Sequence, residues 1–512
     1  QTTTMSAEDK ITPEGLTRTE NGALSFPSTM NCCVDLFFKT VRGITEENLL
    51  ALLEESWRQC PEATLRLIFQ TRDCRGGKGE KKIFYDAYKW LFCNHSKTAL
   101  KNLPHIPFFG CWKDLLAIAS VCPEIENEVI DVFVSQLKKD RTLLDVKDFN
   151  SQPQIVSLCA KWAPTEKHHF DNSQKLAKKL AEALCEGRSN ALAEYRKKYL
   201  VPLRTQLRVT ERYMCANEWD NIPYSTVPSR CMFRCKKAFK KHDEDRFQKF
   251  LLDAAMGKVK LQGKQMYPHE LVKVFMRGGE DLVTECQWKS MMDGLKEQGS
   301  LEKAIVLSDV SGSMSGTPME VAIALGLVIS EVSSGPFNNM IITFESNPKF
   351  HHVQGDSLHS RVKDVMRMSW GGSTDLQKAM DLILQMAIDN NVPQSDMPDK
   401  LFIISDMQFN QADRNYATNH QTVVNKFTNA GYEVPLIVYW NVRANTVDFP
   451  ALADTPGVAL LAGYSPSLMK VVMDGCDLDA EIVQDDPAAP PQKKEVNPED
   501  IMKKAISDER YD

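Results

Sequence analysis

After residue 303 the sequence alternates short, strongly apolar runs with amphipathic stretches. The apolar runs lie at 303–309, 339–346, 350–353, 400–406, 435–440 and 457–463. Helical spacing fills the stretches 319–332, 357–367, 375–388, 416–429 and 466–474. β-Branched strands that alternate with helices predict a doubly wound, Rossmann-like α/β domain over residues 301–475, with an edge strand at 350–353.

Residues 30–300 have a different pattern, because their apolar residues recur at spacings of three and four. Clear examples are 46–59, 80–92 and 172–187, and prolines or glycines separate such segments. The pattern predicts an all-α region of about ten helices, stacked in pairs as a helical repeat that forms a ring or an arc.

The two ends of the chain are predicted to lie outside these domains. Residues 1–29 read as an extended segment. Residues 476–512 read as an acidic, proline-containing linker followed by a C-terminal helix, with Asn497 as its N-cap.

Charge is divided unevenly along the chain. The whole sequence carries 62 Lys and Arg against 68 Asp and Glu, a net charge of -6. Residues 301–512 hold 16 basic and 29 acidic side chains, whereas residues 1–300 hold 46 and 39. The balance excludes a histone-like protein and an acidic disordered chain, but it allows a local basic surface in the helical part.

The sequence also bears on compartment. No apolar run approaches the ~18 residues that span a bilayer, and the polar N-terminus QTTTMSAEDK has no signal-peptide core. The 14 cysteines are scattered and show no repeated CxxC spacing of the zinc-ribbon kind. We therefore expect reduced thiols in a cytoplasmic or nuclear protein that does not bind membranes. The sequence carries no signal for an oligomeric state.

Oxygen-bearing side chains gather where a doubly wound sheet binds its ligand, beyond the carboxyl ends of the strands. They follow the strands at 303–309 and 400–406, and one precedes the helix at 375–388. Carboxylate and hydroxyl ligands, few enough to leave room for water, suit Mg²⁺ or Mn²⁺ and not zinc. The predicted metal site comprises Asp309, Ser311, Ser313, Thr374 and Asp406.

This arrangement resembles the von Willebrand factor A (vWA) domain and its metal-ion-dependent adhesion site (MIDAS), over residues 301–475. The resemblance implies that Ser311, Ser313 and Thr374 bind Mg²⁺ directly, and that Asp309 and Asp406 act mostly through bound water. It also implies that an acidic group of a partner protein completes the coordination. Since the two carboxylates act indirectly, the metal remains electrophilic toward such a group.

Other interpretations of these residues stay open. Asp and Ser after a strand can cap the next helix. A phosphotransferase of the haloacid dehalogenase type needs a second Asp where Ser311 stands, and no Gly-x-Ser-x-Gly elbow surrounds Ser313. A metal-dependent hydrolase needs a nucleophile or a general base beside the metal, and none is evident. The sequence therefore favours a protein that is not an enzyme.

Three basic clusters lie in the helical part, at 72–82, 195–208 and 229–242. The first looks like a phosphate loop but lacks the Lys-Ser/Thr pair and a preceding strand. The third places four basic residues on one helix face. A solvated surface is the simpler interpretation of each cluster, and contact with RNA phosphates is the alternative. The candidate RNA-binding residues are Arg72, Arg75, Lys78, Lys81, Lys82, Arg196, Lys197, Arg204, Arg208, Arg230, Arg234, Lys237 and Lys241.

The helical part also resembles known proteins. The phrases FGCWKDLL (109–116), YRKKYLVPLR (195–204) and KAFKKHDEDRFQKFLLDAAMGK (237–258) look like a family of plant, fungal, animal and giant-virus proteins of unknown function, which ends in a vWA-like half. The order of the two halves is similar to that of the Ro 60 kDa (TROVE) proteins, whose HEAT-like ring binds structured or misfolded RNAs. The resemblance implies a ribonucleoprotein component. A protein-interaction scaffold that uses the metal site without RNA is the alternative.

Overall fold

The computed structural model describes residues 15–145, 156–167, 171, 175–185, 189–299, 301–344, 347–368, 374–411, 417–444, 448–475 and 495–512. A helical region comes first and a mixed α/β region follows it. The predicted order of the two parts is therefore confirmed.

Helices of very unequal length fill the described residues between 32 and 296. Several have only four to seven residues, too few for a periodic apolar pattern to show, so the sequence predicted fewer helices than are present. The helices are α1 Cys32–Lys39, α2 Glu46–Gln59, α3 Pro61–Arg72, α4 Lys82–Asn94, α5 Ser96–Asn102, α6 Ile106–Phe109, α7 Trp112–Val121, α8 Glu126–Asp145, α9 Cys159–Trp162, α10 Leu176–Leu184, α11 Ala191–Tyr195, α12 Val201–Gln206, α13 Thr210–Cys215, α14 Ser229–His242, α15 Glu244–Ala255, α16 Pro268–Met276 and α17 Leu282–Lys296.

The C-terminal half is built on a six-stranded sheet. Two short pairs of strands, β1 with β2 and β3 with β5, lie outside it. The strands are β1 Thr17–Arg18, β2 Leu24–Ser25, β3 Leu301–Glu302, β4 Ala304–Ser308, β5 Ser333–Ser334, β6 Met340–Thr343, β7 Phe350–His352, β8 Lys400–Ser405, β9 Leu436–Asn441 and β10 Val458–Ala462. All six runs predicted as strands are therefore present in the sheet.

The sheet has the order β10-β9-β8-β4-β6-β7, parallel throughout except for the antiparallel edge strand β7. Strands β4 and β10 are buried along their whole length, as a sheet covered on both faces requires. The helices of this half are α18 Thr317–Val332, α19 Leu358–Met366, α20 Leu376–Asp389, α21 Asn419–Asn429, α22 Met469–Gly475 and α23 Pro498–Ala505.

The first and the last described segments of the chain each contact the opposite half. The β1–β2 hairpin lies on the α/β half, where Thr19 Oγ1 donates to Phe409 O over 2.8 Å. Helix α23 packs against β10 and α1, and the Asn497 side chain accepts from Asp500 N, which confirms the predicted cap. The chain then returns to the helical half, where Tyr511 OH donates to Asp73 Oδ2 over 2.9 Å. Of the predicted linker, residues 476–494 lie outside the described residues.

The first and last helices of the helical region both contact the α/β half. Helix α1 packs against β10, and helices α16 and α17 pack against α18. Two parts of the helical region that are far apart in sequence also contact each other, since Tyr267 OH donates to Gly79 O over 2.8 Å. Among the described residues, no helix is long and apolar enough to cross a membrane.

Candidate functional site

The sheet order brings the two predicted carboxylates together. Strands β4 and β8 are hydrogen-bonded neighbours, and Asp309 and Asp406 each stand just beyond the carboxyl end of one of them. The backbone N of Asp309 also donates to Ile404 O over 2.9 Å. Both residues are enclosed, with Asp309 0% and Asp406 1% exposed.

Asp309 is held by short hydrogen bonds from its own half. Its Oδ1 accepts from Ser311 N over 2.9 Å, and its Oδ2 accepts from Ser405 Oγ over 2.6 Å. Burial raises the pKa of this carboxyl to about 6, and the charge of Asp406 acts in the same direction. Two buried carboxylates that repel each other create a local demand for a cation.

The two serine hydroxyls have a spacing that suits an ion. Ser311 Oγ lies 3.0 Å from Ser313 Oγ, and Ser311 is buried whereas Ser313 is exposed. Mg²⁺ binds oxygen at about 2.0–2.1 Å in an octahedron, so neighbouring ligands stand about 3 Å apart. The pair therefore fits one edge of such an octahedron, with its outer side open to solvent.

Thr374 is linked to Asp406 through the loop that follows β8. Its Oγ1 donates to Gln408 O over 2.9 Å, and Gln408 N in turn donates to Asp406 Oδ1 over 3.2 Å. The hydroxyl is buried. The Gly-rich turn before it, 369–373, lies outside the described residues.

Two neighbours of the site were missed by sequence reasoning. Arg443 Nη1 donates to Asp406 Oδ2 over 3.2 Å and to Ser313 O over 2.6 Å. Asn21, on the N-terminal hairpin, donates from Nδ2 to Thr374 Oγ1 over 3.3 Å. Arg443 could have been found, since it follows the end of β9, the strand beside β8, whereas no local pattern links residue 21 to a loop so far along the chain.

The donor set fits a hard cation only if the hydroxyls take part. Within the described part of the chain, no group of three or more His, Cys, Asp or Glu is placed to hold a metal. The candidate site instead combines two carboxylates with three hydroxyls, which is the chemistry of Mg²⁺ or Mn²⁺ and not of zinc.

The structure removes Arg72 and Lys78 from the predicted basic surface. Arg72 is 3% exposed, and its guanidinium pairs with Asp114 Oδ2 over 2.7 Å. Lys78 is 1% exposed, and its Nζ donates to Phe37 O and Thr40 O at the end of α1, over 2.5 and 2.8 Å. Both side chains donate to groups inside the protein, so neither is available to a phosphate.

The rest of the first cluster stays at the surface. Arg75, Lys81 and Lys82 are exposed. Arg75 Nη1 donates to Phe108 O over 2.5 Å, and Lys82 pairs with Asp86 over 3.0 Å. Desolvation, together with the positive charges of Arg72 and then Arg230, lowers the pKa of Lys81.

The second cluster divides in the same way. Arg196, Lys197 and Arg208 are exposed. Arg204 turns inward, where its Nε donates to Ala160 O over 2.9 Å and its Nη2 to Ala163 O over 2.9 Å. Arg204 thus ties α12 to α9, a structural role.

The third cluster is the most open of the three. Helix α14 buries Met232 and Phe239 on its inner side, while Arg234, Lys237 and Lys241 are exposed. We call these three residues the α14 basic face. Arg230, which starts the same row, pairs with Glu270 over 2.9 Å. Its guanidinium also lies 5.5 Å from the Tyr267 ring, and Tyr267 contacts Gly79 of the first cluster.

Comparison with known proteins returns two families. Residues 19–127 and 125–301 match the Domain of unknown function (DUF2828), and residues 303–506 match the Domain of unknown function (DUF7788). The chain is also 32% identical over 489 residues to Uncharacterized protein L728 of Acanthamoeba polyphaga mimivirus. That match covers 90% of this chain and 85% of the viral protein.

Proposed function

The chain belongs to the family in which a DUF2828 region is followed by a DUF7788 region, and we propose that it is a non-enzymatic binding protein with two separate binding surfaces. One is a Mg²⁺ or Mn²⁺ adhesion site in a vWA-like α/β half, which captures an acidic group of a partner. The other is a basic face on a Ro-like, HEAT-like helical half, which binds RNA.

The observation that carries the first part is the Ser311–Ser313 hydroxyl pair, 3.0 Å apart, beside two buried carboxylates. Ser311, Ser313 and Thr374 would hold the ion directly, and Asp309 and Asp406 would hold its water ligands. The bound ion would supply an electrophilic position for an incoming carboxylate. The chain itself supplies the rigid support, since both Asp309 oxygens are already fixed by Ser311 and Ser405.

Metal titration tests this part directly. We expect isothermal titration of the full chain to show one Mn²⁺ or Mg²⁺ per molecule, and Ser313→Ala to weaken binding at least about tenfold, the equivalent of one lost ligand. Ser315→Ala is the matched control, because Ser315 is an exposed residue of the same loop. Equal affinity of the two variants would contradict the assignment.

Partner capture is tested with the same protein. An immobilised chain should retain peptides that present Asp or Glu in the presence of Mg²⁺. EDTA, or the Asp309→Ala substitution, should release them. Retention that survives both treatments would exclude the metal as the docking point.

The α14 basic face carries the RNA part of the proposal. Its three exposed cations lie along one side of a helix that faces away from its own core. Binding through phosphates is salt-dependent and weakly sequence-specific. Affinity for a structured RNA should therefore fall steeply between about 50 and about 200 mM salt.

A charge reversal tests whether RNA binding depends on the α14 basic face or only on the overall charge of the chain. Lys237→Glu/Lys241→Glu should abolish most RNA binding in a fluorescence anisotropy assay, whereas Lys363→Glu/Lys400→Glu, the same charge change in the α/β half, should leave it within about twofold. RNA binding that is absent in the wild-type chain would favour the scaffold alternative, in which the metal site acts alone.

A further inference from the structure

Arg443 enters the candidate metal site from a fixed position. It stands two residues after β9, and its backbone N donates to Asn441 Oδ1 over 3.0 Å. Asn441 is fully buried, and its side chain reaches Phe38 O of helix α1. The backbone of Arg443 is thus anchored to the core, and its side chain extends from that anchor toward the site.

The guanidinium of Arg443 bridges the two loops that would hold the metal. Its Nη1 contacts Ser313 O on the loop after β4, over 2.6 Å, and Asp406 Oδ2 on the loop after β8, over 3.2 Å. Asp406 is enclosed, but the Arg443 side chain is 35% exposed. Rotation of the guanidinium toward solvent would therefore break its contacts with Ser313 O and Asp406 Oδ2.

The positive charge of Arg443 lies beside Asp406, one of the two buried carboxylates of the candidate metal site. Asp309 and Asp406 are both buried, at the ends of the neighbouring strands β4 and β8. A guanidinium stays protonated at any ordinary pH and donates in a fixed fork. It therefore offsets one of the two negative charges without any ion from solution.

We propose that Arg443 is a tethered cation that competes with the hydrated divalent metal for Asp406, so that metal binding requires the guanidinium to leave the carboxylate. The inference rests on the proposed metal site and adds its regulation. A guanidinium that contacts Asp406 and a divalent ion that draws on the same carboxylate would repel each other. The resident arginine thus sets the metal concentration at which the site is filled.

The experiment compares four variants by Mn²⁺ titration, followed both calorimetrically and by the electron paramagnetic resonance signal of free Mn²⁺. Arg443→Gln should bind Mn²⁺ at least about tenfold more tightly than the wild-type chain. Arg443→Lys keeps the charge and should stay within about threefold of wild type. Lys363→Gln, a loss of charge on the distant helix α19, should have no effect, and Asp309→Ala should abolish binding in every background.

Thermal unfolding in EDTA gives a second readout. Without its cation, Arg443→Gln should melt below the wild-type chain, and saturating Mn²⁺ should raise its melting temperature by more than it raises that of wild type. A variant that simply misfolds would show neither the tighter binding nor the larger rise.

The outcomes separate the inference from the function on which it rests. Weaker or unchanged Mn²⁺ binding by Arg443→Gln, with Asp309→Ala still abolishing it, would overturn the competition and leave the metal site standing. Absence of binding in both the wild type and Arg443→Gln would overturn the metal site and the competition together.

Discussion

Replacement of Arg72 by methionine decides whether this residue of the first basic cluster is structural or RNA-binding. The guanidinium donates to Asp114 Oδ2 from Nε over 2.9 Å and approaches it from Nη2 over 2.7 Å, and both side chains are almost completely buried. Removing one partner of a buried ion pair leaves an uncompensated charge, at a cost of about 3–5 kcal/mol.

The surroundings of Asp114 place the expected loss at the lower end of that range. Its Oδ1 accepts from Tyr85 OH over 2.6 Å, and its Oδ2 accepts from Cys111 N over 2.8 Å. These neutral donors remain in the variant and still solvate the carboxylate. We therefore expect Arg72→Met to lower the free energy of unfolding by about 3 kcal/mol.

Urea unfolding followed by circular dichroism measures this loss, and a double variant checks its cause. Arg72→Met/Asp114→Asn removes the stranded charge and keeps both contacts, because the amide oxygen can accept from Cys111 N while the amide NH2 donates to the Tyr85 hydroxyl. It should recover most of the lost stability. If Arg72→Met instead kept its stability and lost RNA affinity, the structural assignment of Arg72 would be refuted.

Three further predictions follow from buried groups. Burial lowers the pKa of His269 and of His420 to about 4, so both imidazoles are neutral in the folded protein at neutral pH. Their contribution to the free energy of unfolding is fully present above about pH 6.5. It is lost as the pH falls toward 4, by about 3 kcal/mol for each histidine. Gly77→Ala should destabilise the chain by about 3 kcal/mol in urea unfolding, because a Cβ there would lie 2.0 Å from Gln70 O. Deletion of residues 509–512 should cost about 3 kcal/mol in the same assay, because it removes Arg510 and Tyr511, two side chains that donate to the buried Asp73 carboxylate.

Each of these has a matched comparison. The slope of stability between pH 6.5 and pH 4.5 should be shallower in His269→Gln than in the wild-type chain, and an unchanged slope would assign the acid loss elsewhere. Gly312→Ala meets open space and should be neutral where Gly77→Ala is not. An Asp73→Asn substitution should rescue the tail deletion, because Asp73 is the carboxylate that Arg510 and Tyr511 contact.

Local sequence patterns predicted the α/β half well, because each of its strands is marked by an apolar run of only a few residues. An apolar, β-branched run such as 400–406 can be recognised without knowledge of the rest of the fold. Parallel pairing then places the residues that follow neighbouring strands at the same edge of the sheet. Asp309 and Asp406 could therefore be paired from sequence alone. Asn21 could not, since its contact with the same site depends on the path of the whole chain.

The basic clusters show what local sequence patterns could not predict. Lys78 and Lys237 look alike in sequence, since each lies among other cations and near glycines or polar residues. Lys78 is buried because its loop closes over the end of α1, where two backbone carbonyls need a donor. Lys237 is exposed because the apolar residues of its helix face the other way. Only the tertiary packing separates the two.

That packing also bears on whether the two proposed surfaces act together. One continuous apolar core joins helices α1 to α12 with the sheet that holds the metal site, whereas α14 and α15 pack around a second, smaller core with Phe239 and Phe247. A ligand stabilises the cooperative unit that binds it, by about 2.7 kcal/mol at one hundred times its Kd. Stabilisation by metal should therefore spread through the first core and only weakly into the second. The α14 basic face, built on the second core, should bind RNA with the same affinity in Mg²⁺ and in EDTA once the ionic strength is matched.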